Sequence, residues 1–166
     1  MKKMILTSVL LLLVTVAYAQ SSLPMGRTQF NAGFGLSDGG LPVYVGFDHA
    51  VSRDVTLGAE VSYRDYTDNW DNEDYDHNVW GISGNVNYHF NTVLEIPRNW
   101  DFYAGLNVGF YDWNSPRGYH GDHTSGLGLG AQVGGRYFFT NKVGLNFELG
   151  GGNEFSGGKI GLTIKL

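Results

Sequence analysis

Strict alternation between apolar and small polar residues, repeated in eight separate stretches, constrains this chain more than any other feature. Along 55–63, Val55, Leu57, Ala59, Val61 and Tyr63 fall on one face of an extended strand, while Thr56, Gly58, Glu60 and Ser62 fall on the other. Trp80, Ile82, Val86 and Tyr88 alternate in the same way with Gly81, Ser83, Asn85, Asn87 and His89. Further stretches run over 30–36, 43–48, 102–111, 127–137, 143–149 and 160–166, and nothing after residue 28 repeats at helical spacing. An even number of strands lets an up-and-down barrel close with both chain ends on one side. The expected fold is therefore all-β, an eight-stranded antiparallel up-and-down barrel, and the make-up of its two faces reads as that of a transmembrane β-barrel.

The segments between strands sort into two sets. Residues 37–41, 67–77, 113–125 and 151–157 are expected as loops at one end, and 52–54, 91–99 and 140–142 as turns at the end that carries the termini. The turn at 91–99 contains Leu94 and Ile96, apolar residues for which the barrel pattern alone gives no reason.

Which face meets lipid is decided by two observations, because a soluble barrel with an apolar lumen shows the same period. The polar face consists of Gly, Asn, Ser and Thr with an occasional charge, whereas a water-facing exterior carries many Lys and Glu. Small residues suit the crowded interior of an eight-stranded barrel. Aromatic residues of the apolar face also fall at strand ends, forming two levels as expected at lipid headgroups. Tyr63, Trp80 and Phe110 make the level at the loop end, and Tyr88, Phe90, Trp100, Phe102, Tyr137 and Phe139 the level at the turn end.

The first residues point the same way. Lys2 and Lys3, the apolar run 4–16 and Ala17-Tyr18-Ala19 read as a secretory signal over 1–19, leaving 20–166 as one barrel domain. The apolar run is too short for a spanning helix, which needs about 20 residues. The chain contains no cysteine, so neither a lipoprotein anchor nor a disulfide is expected. Net charge is −5 and becomes −7 without Lys2 and Lys3, and no basic patch is visible, which argues against a nucleic-acid partner.

Alternation places Asp48, Glu60, Arg64, Arg136, Glu148 and Lys165 in the lumen, with His89 near the turn end. Unpaired charges there are costly, so Glu60, Glu148 and Arg136 are expected to meet in an ion network that plugs the tube, joined by Lys165. In 65–77 six acidic residues, Asp65, Asp68, Asp71, Glu73, Asp74 and Asp76, lie close together, yet the spacing lacks the Gly and Glu of a calcium-binding EF-hand loop. His77, His120, Asp122 and His123 could in principle hold zinc, but loop histidines without a role are common. No metal, cofactor or catalytic residue is expected.

The alternating strands, the signal and the terminal hairpin, with segments such as Phe30-Asn31-Ala32-Gly33-Phe34-Gly35 and Trp100-Asp101-Phe102-Tyr103-Ala104-Gly105, resemble the small outer-membrane β-barrel superfamily that includes OmpA-like transmembrane domains and OmpX. The resemblance covers nearly all of 20–166. It implies the bacterial outer membrane as location and outer-membrane lipid and lipopolysaccharide as surroundings. It also implies insertion by the barrel-assembly machinery, which reads an alternating C-terminal strand that usually ends in an aromatic residue; this chain keeps Ile160, Leu162 and Ile164 but ends in Leu166. The barrel-only, OmpX-like form is the nearer likeness. His123-Thr124-Ser125 also resembles the His-x-Ser pair of outer-membrane lipid A deacylases, although no acidic residue occurs in 124–144 to orient the base. The expectation is a non-enzymatic structural or surface-interaction protein that takes any surface ligand through 67–77 and 113–125. The alternatives are a narrow ion or small-solute channel, a lipid A-modifying enzyme, and a subunit of a larger membrane complex.

Overall fold

The computed structural model describes residues 22–37, 40–70, 73–114, 125–154 and 156–166, with backbone alone at 37, 66–70 and 73–77. The alternating stretches become β1 (Thr28–Ser37), β2 (Val43–Ala50), β3 (Val55–Trp70), β4 (Glu73–His89), β5 (Trp100–Asn114), β6 (Gly126–Phe138), β7 (Val143–Gly152) and β8 (Gly157–Lys165). Each strand pairs antiparallel with its neighbour in sequence. β1 closes on β8 from Gln29↔Lys165 to Ser37↔Gly157, so the sheet has no free edge. Closure pairs the main-chain N–H and C=O groups between strands, which a wall bathed in hydrocarbon requires.

The partition of side chains is inverted relative to a water-soluble protein. Leu129 (65% exposed), Leu106 (62%) and Ile82 (62%) stand on the outer wall, while Gln29, Asp101 and Thr163 inside are fully buried. Along β2 the two classes alternate residue by residue. Inward glycines clear room for tyrosine rings laid along the wall. A Cβ on Gly134 would lie 2.2 Å from Tyr103 Cζ, and one on Gly128 would lie 2.5 Å from Tyr111 Cε2.

The strands at the loop end run further than alternation indicates. The segment 67–77, expected as a loop, is mostly a continuation of the β3–β4 hairpin, with Trp70 opposite Glu73. β5 likewise takes residues 113 and 114, and β7 and β8 take 151, 152 and 157 from their expected loop. Backbone pairing needs no apolar face, so a hairpin can extend into water with polar residues on both sides and lose the period-two signal.

Three of the connections at the turn end are described completely. Val51 N donates to Val55 O (3.0 Å), and Phe139 N donates to Val143 O (3.1 Å). Thr140 Oγ1 also accepts from Val143 N at 2.8 Å, which fixes the second of these tight turns. The longer turn, 91–99, is coiled by Leu94 N donating to Phe90 O (2.9 Å) and Ile96 N donating to Asn91 O (2.9 Å). The segment 22–27 lies against the same end, with Leu23 buried and Gly26 N donating to Ala50 O.

Candidate functional site

The polar groups of the lumen form two charged layers, both touched by Tyr103, and a chain of side-chain amides. The layer nearer the turns is centred on Arg136 of β6, whose Nη1 donates to Asp101 Oδ2 (3.0 Å) and Nη2 to Asp48 Oδ2 (2.8 Å). Its guanidinium lies 4.2 Å from the centroid of the Tyr103 ring. Asp48 Oδ2 also accepts from Gln29 Nε2 (3.1 Å) and Asn31 Nδ2 (2.9 Å). Asp101 Oδ1 is 2.7 Å from His89 Nδ1, and His89 Nε2 is 3.0 Å from Thr56 Oγ1. These groups are held by six strands, β1 to β6, so the layer ties the barrel across its width.

A hydroxyl, an imidazole and a carboxylate in a row are the parts of a nucleophilic relay. Here Thr56 and His89 are each 2% exposed and Asp101 is 0% exposed, and none of the three lines a cavity among the described residues. The row links β3, β4 and β5 side chain to side chain.

The second layer is nearer the loops. Lys159 Nζ of β8 lies 2.6 Å from Glu60 Oε1 of β3 and 3.3 Å from Glu148 Oε1 of β7. Tyr103 Oη donates to Glu148 Oε2 (2.9 Å), so the ring packed against Arg136 also reaches this layer. A chain of amides crosses from β5 through β6 to β4: Asn107 Nδ2 donates to Gln132 Oε1 (2.8 Å), and Gln132 Nε2 donates to Asn87 Oδ1 (2.7 Å). A cavity of about 880 Å³, counted with its open mouth, lies on the loop side and is lined by Arg64 and Tyr111 among others. A smaller space of about 330 Å³ lies beneath it, and both share Glu60, Glu148 and Lys159 in their walls. The ion triplet, with Tyr44 and Asn85, thus stands where the upper space meets the lower.

The expected lumen residues are therefore divided differently from the sequence reading. Arg136 does not meet Glu60 and Glu148; it takes Asp48 and Asp101, and Lys159 joins the two glutamates. The reason is axial position: Arg136 stands opposite Asp101 in the β5–β6 ladder, and Glu148 stands opposite Lys159 in the β7–β8 ladder. Lys165 stays out of both layers, its ammonium 3.4 Å from the centroid of the Phe138 ring. Sequence reasoning missed Asp101 and Lys159. Their signal was parity, since 101 shares a face with 103 and 105, and 159 with 161 and 163, just before the point where clear alternation begins.

On the outer wall the girdle residues pack as pairs. Tyr63 and Trp80 lie 4.9 Å apart between ring centroids, and Phe110 stands on the neighbouring strand at the same end. At the turn end Trp100 stacks on Phe102 (5.5 Å) and meets Tyr137 (4.8 Å), while Tyr88 meets Phe90 (5.4 Å). Phe139 is exposed beside them. Of the acidic cluster, Asp65 accepts a hydrogen bond from Tyr63 Oη (2.6 Å), and the other five side chains lie outside the described residues. The side chain of His77 lies outside them too, as do His120, Asp122 and His123, and no metal-ligating cluster occurs among the described residues. Ser125 Oγ donates to Asp112 Oδ1 (2.9 Å) and accepts from Trp113 N (2.9 Å). The expected signal, 1–19, also lies outside the described residues.

No family model matches the chain, and no curated protein sequence matches it. Solved structures do. The outer membrane protein OprG from Pseudomonas aeruginosa superposes with a TM-score of 0.68 at 10% identity, over 88% of this chain and 99% of that one. The N-terminal β-barrel domain of Pseudomonas aeruginosa OprF gives 0.63 at 12% identity, over 86% and 98%. Neisserial surface protein A gives 0.57 at 15% identity, over 84% and 95%. With the closed eight-stranded sheet, the apolar outer wall and the charged lumen, these likenesses show that the chain has the fold of the small outer-membrane β-barrels.

Proposed function

We propose that the chain is an integral protein of the bacterial outer membrane that acts without catalysis, as a structural or surface-interaction component with a sealed lumen. The observation that carries this reading is the inverted partition: leucine, isoleucine and phenylalanine are exposed around the wall, and the ionic groups are paired inside. Its surroundings are then outer-membrane lipid and lipopolysaccharide, the barrel-assembly machinery inserts it, and 67–77 and 113–125 are the surfaces offered to a ligand. The fold of OprG, OprF and Neisserial surface protein A supports the membrane part of this reading.

Single-channel recording in planar bilayers tests the seal. The wild-type barrel is expected to stay closed, because two charged layers cross the lumen. Steady conductance steps from wild type would overturn the sealed-lumen reading.

One observation favours a second reading, a narrow ion or small-solute path. Among the described residues the Lys159 triplet, with Tyr44 and Asn85, lines both the loop-side cavity and the space below it. On that reading Glu148→Ala frees Lys159 from one partner and raises conductance, and Arg136→Ala opens the layer beneath.

A further inference from the structure

The turn at 91–99 is longer than its two neighbours and exposes apolar side chains at the end of the barrel, with Val93 60% and Leu94 64% exposed. Its length is not needed to connect β4 to β5. Phe90 N already donates to Phe102 O (2.8 Å), which closes the ladder below the excess residues. Those residues coil into a compact lip. Glu95 sits at φ 53° within it, in the left-handed region that residues other than Gly and Asn seldom occupy. The lip is flanked by Phe90 and Trp100, both members of the lipid-side aromatic level. Its apolar tip is thus continuous with the wall that meets hydrocarbon.

The same platform carries cations. Arg27 on the segment before β1, Arg53, Arg98 and Lys142 give each of the four turn-end segments one exposed basic side chain. None of them enters an ion pair among the described residues. The turns are tied together: Thr92 Oγ1 donates to the Asp54 carboxylate, and Phe138 N donates to Asn99 O (2.7 Å). Against four cations these segments hold two acids, Asp54, engaged by Thr92, and Glu95. The loop end has the opposite sign, with Asp112 and Glu154 there and six acids, Asp65 among them, within 65–76. Polarity of this kind suits one leaflet chemistry at the turn end and opposes it at the other.

We infer that the turn end is a docking surface for an anionic glycerophospholipid leaflet, with Val93 and Leu94 entering among the acyl chains and Arg27, Arg53, Arg98 and Lys142 receiving lipid phosphates. Basic side chains beside an apolar anchor are drawn to anionic headgroups over about one Debye length. The inference rests on the membrane reading above and adds to it a lipid class and a side. It also gives the apolar turn a physical reason.

The test uses the full chain, refolded into phosphatidylcholine vesicles that carry trace spin-labelled phosphatidylglycerol or spin-labelled phosphatidylcholine. Flotation and heat-modifiable migration confirm an inserted barrel. The expected result is a several-fold higher association of the anionic phosphatidylglycerol, lost in Arg53→Gln/Arg98→Gln and in about 1 M salt, where screening acts within ~3 Å. Inorganic phosphate at matched ionic strength should leave the preference unchanged. Because the chain has no cysteine, Leu94→Cys carrying an environment-sensitive dye adds a second readout, expected to show apolar emission. Equal association of the two lipids in an inserted barrel overturns the inference and leaves the membrane reading intact. So does a preference that survives the double variant, displacement by free phosphate, or water-like emission at position 94. A chain that never floats with the vesicles overturns both.

Discussion

Removing the Arg136 guanidinium leaves Asp48 and Asp101 facing each other's neighbourhood in a region that is at most 3% exposed. Breaking a buried pair by deleting one partner costs about 3–5 kcal/mol, because the remaining charge stays buried without compensation. Arg136→Ala is therefore expected to lower stability by roughly that amount in urea unfolding from vesicles. A loss below about 1 kcal/mol, the scale of exposed pairs, would mean that the layer is solvated. Gly134 gives a second residue-scale prediction. An added methyl group would collide with Tyr103, and that ring is boxed in by Arg136 on one side and its hydrogen bond to Glu148 on the other. Gly134→Ala should be destabilising in wild type and nearly neutral in a Tyr103→Ala background, a coupling of about 0.5–3 kcal/mol in a double-mutant cycle. Additive losses would show that the ring is free to move. At this scale the sequence was legible in part. Parity placed Asp48, Glu60, Arg136 and Glu148 inside, but it carries no information about height along the tube. Partner choice depends on the stagger of strands, which only the assembled ladders define.

At the scale of the element, each strand presents one apolar and one polar face, so neighbouring positions should respond to charge in opposite ways. Leu106 stands 62% exposed on the outer wall of β5, and Asn107 beside it points into the amide chain with Gln132. Leu106→Arg is expected to cost about 2–4 kcal/mol near the bilayer midplane, as lipid-facing charges do in transmembrane barrels. Asn107→Ser should cost about 1 kcal/mol, the worth of one hydrogen bond. Unfolding in vesicles checks both, and a larger loss at 107 than at 106 would reverse the assignment of faces. The strands and their order were readable because burial on one side imprints a period of two on the sequence. The outer ends of β3 and β4 were not, since there Asp, Asn and Tyr occupy either parity and leave no period of two. The turn 91–99 stood out as apolar in the sequence; its attachment to the adjoining turns needed the three-dimensional arrangement.

For the molecule as a whole, a closed sheet, a greasy exterior and an ionic interior are three parts of one solution to life in hydrocarbon. Closure satisfies the backbone, the outer wall replaces water with acyl chains, and pairing neutralises the charges that hold the strands together across the lumen. The measurement that tests this account most directly is an accessibility scan along β5. The natural absence of cysteine allows single nitroxide-bearing cysteines at successive positions from 102 to 110 of the reconstituted barrel. Relaxation by oxygen, which concentrates in lipid, should be high at 102, 104, 106, 108 and 110 and low at the positions between them. High oxygen accessibility at 103, 105, 107 and 109, or no dependence on parity, would contradict the account.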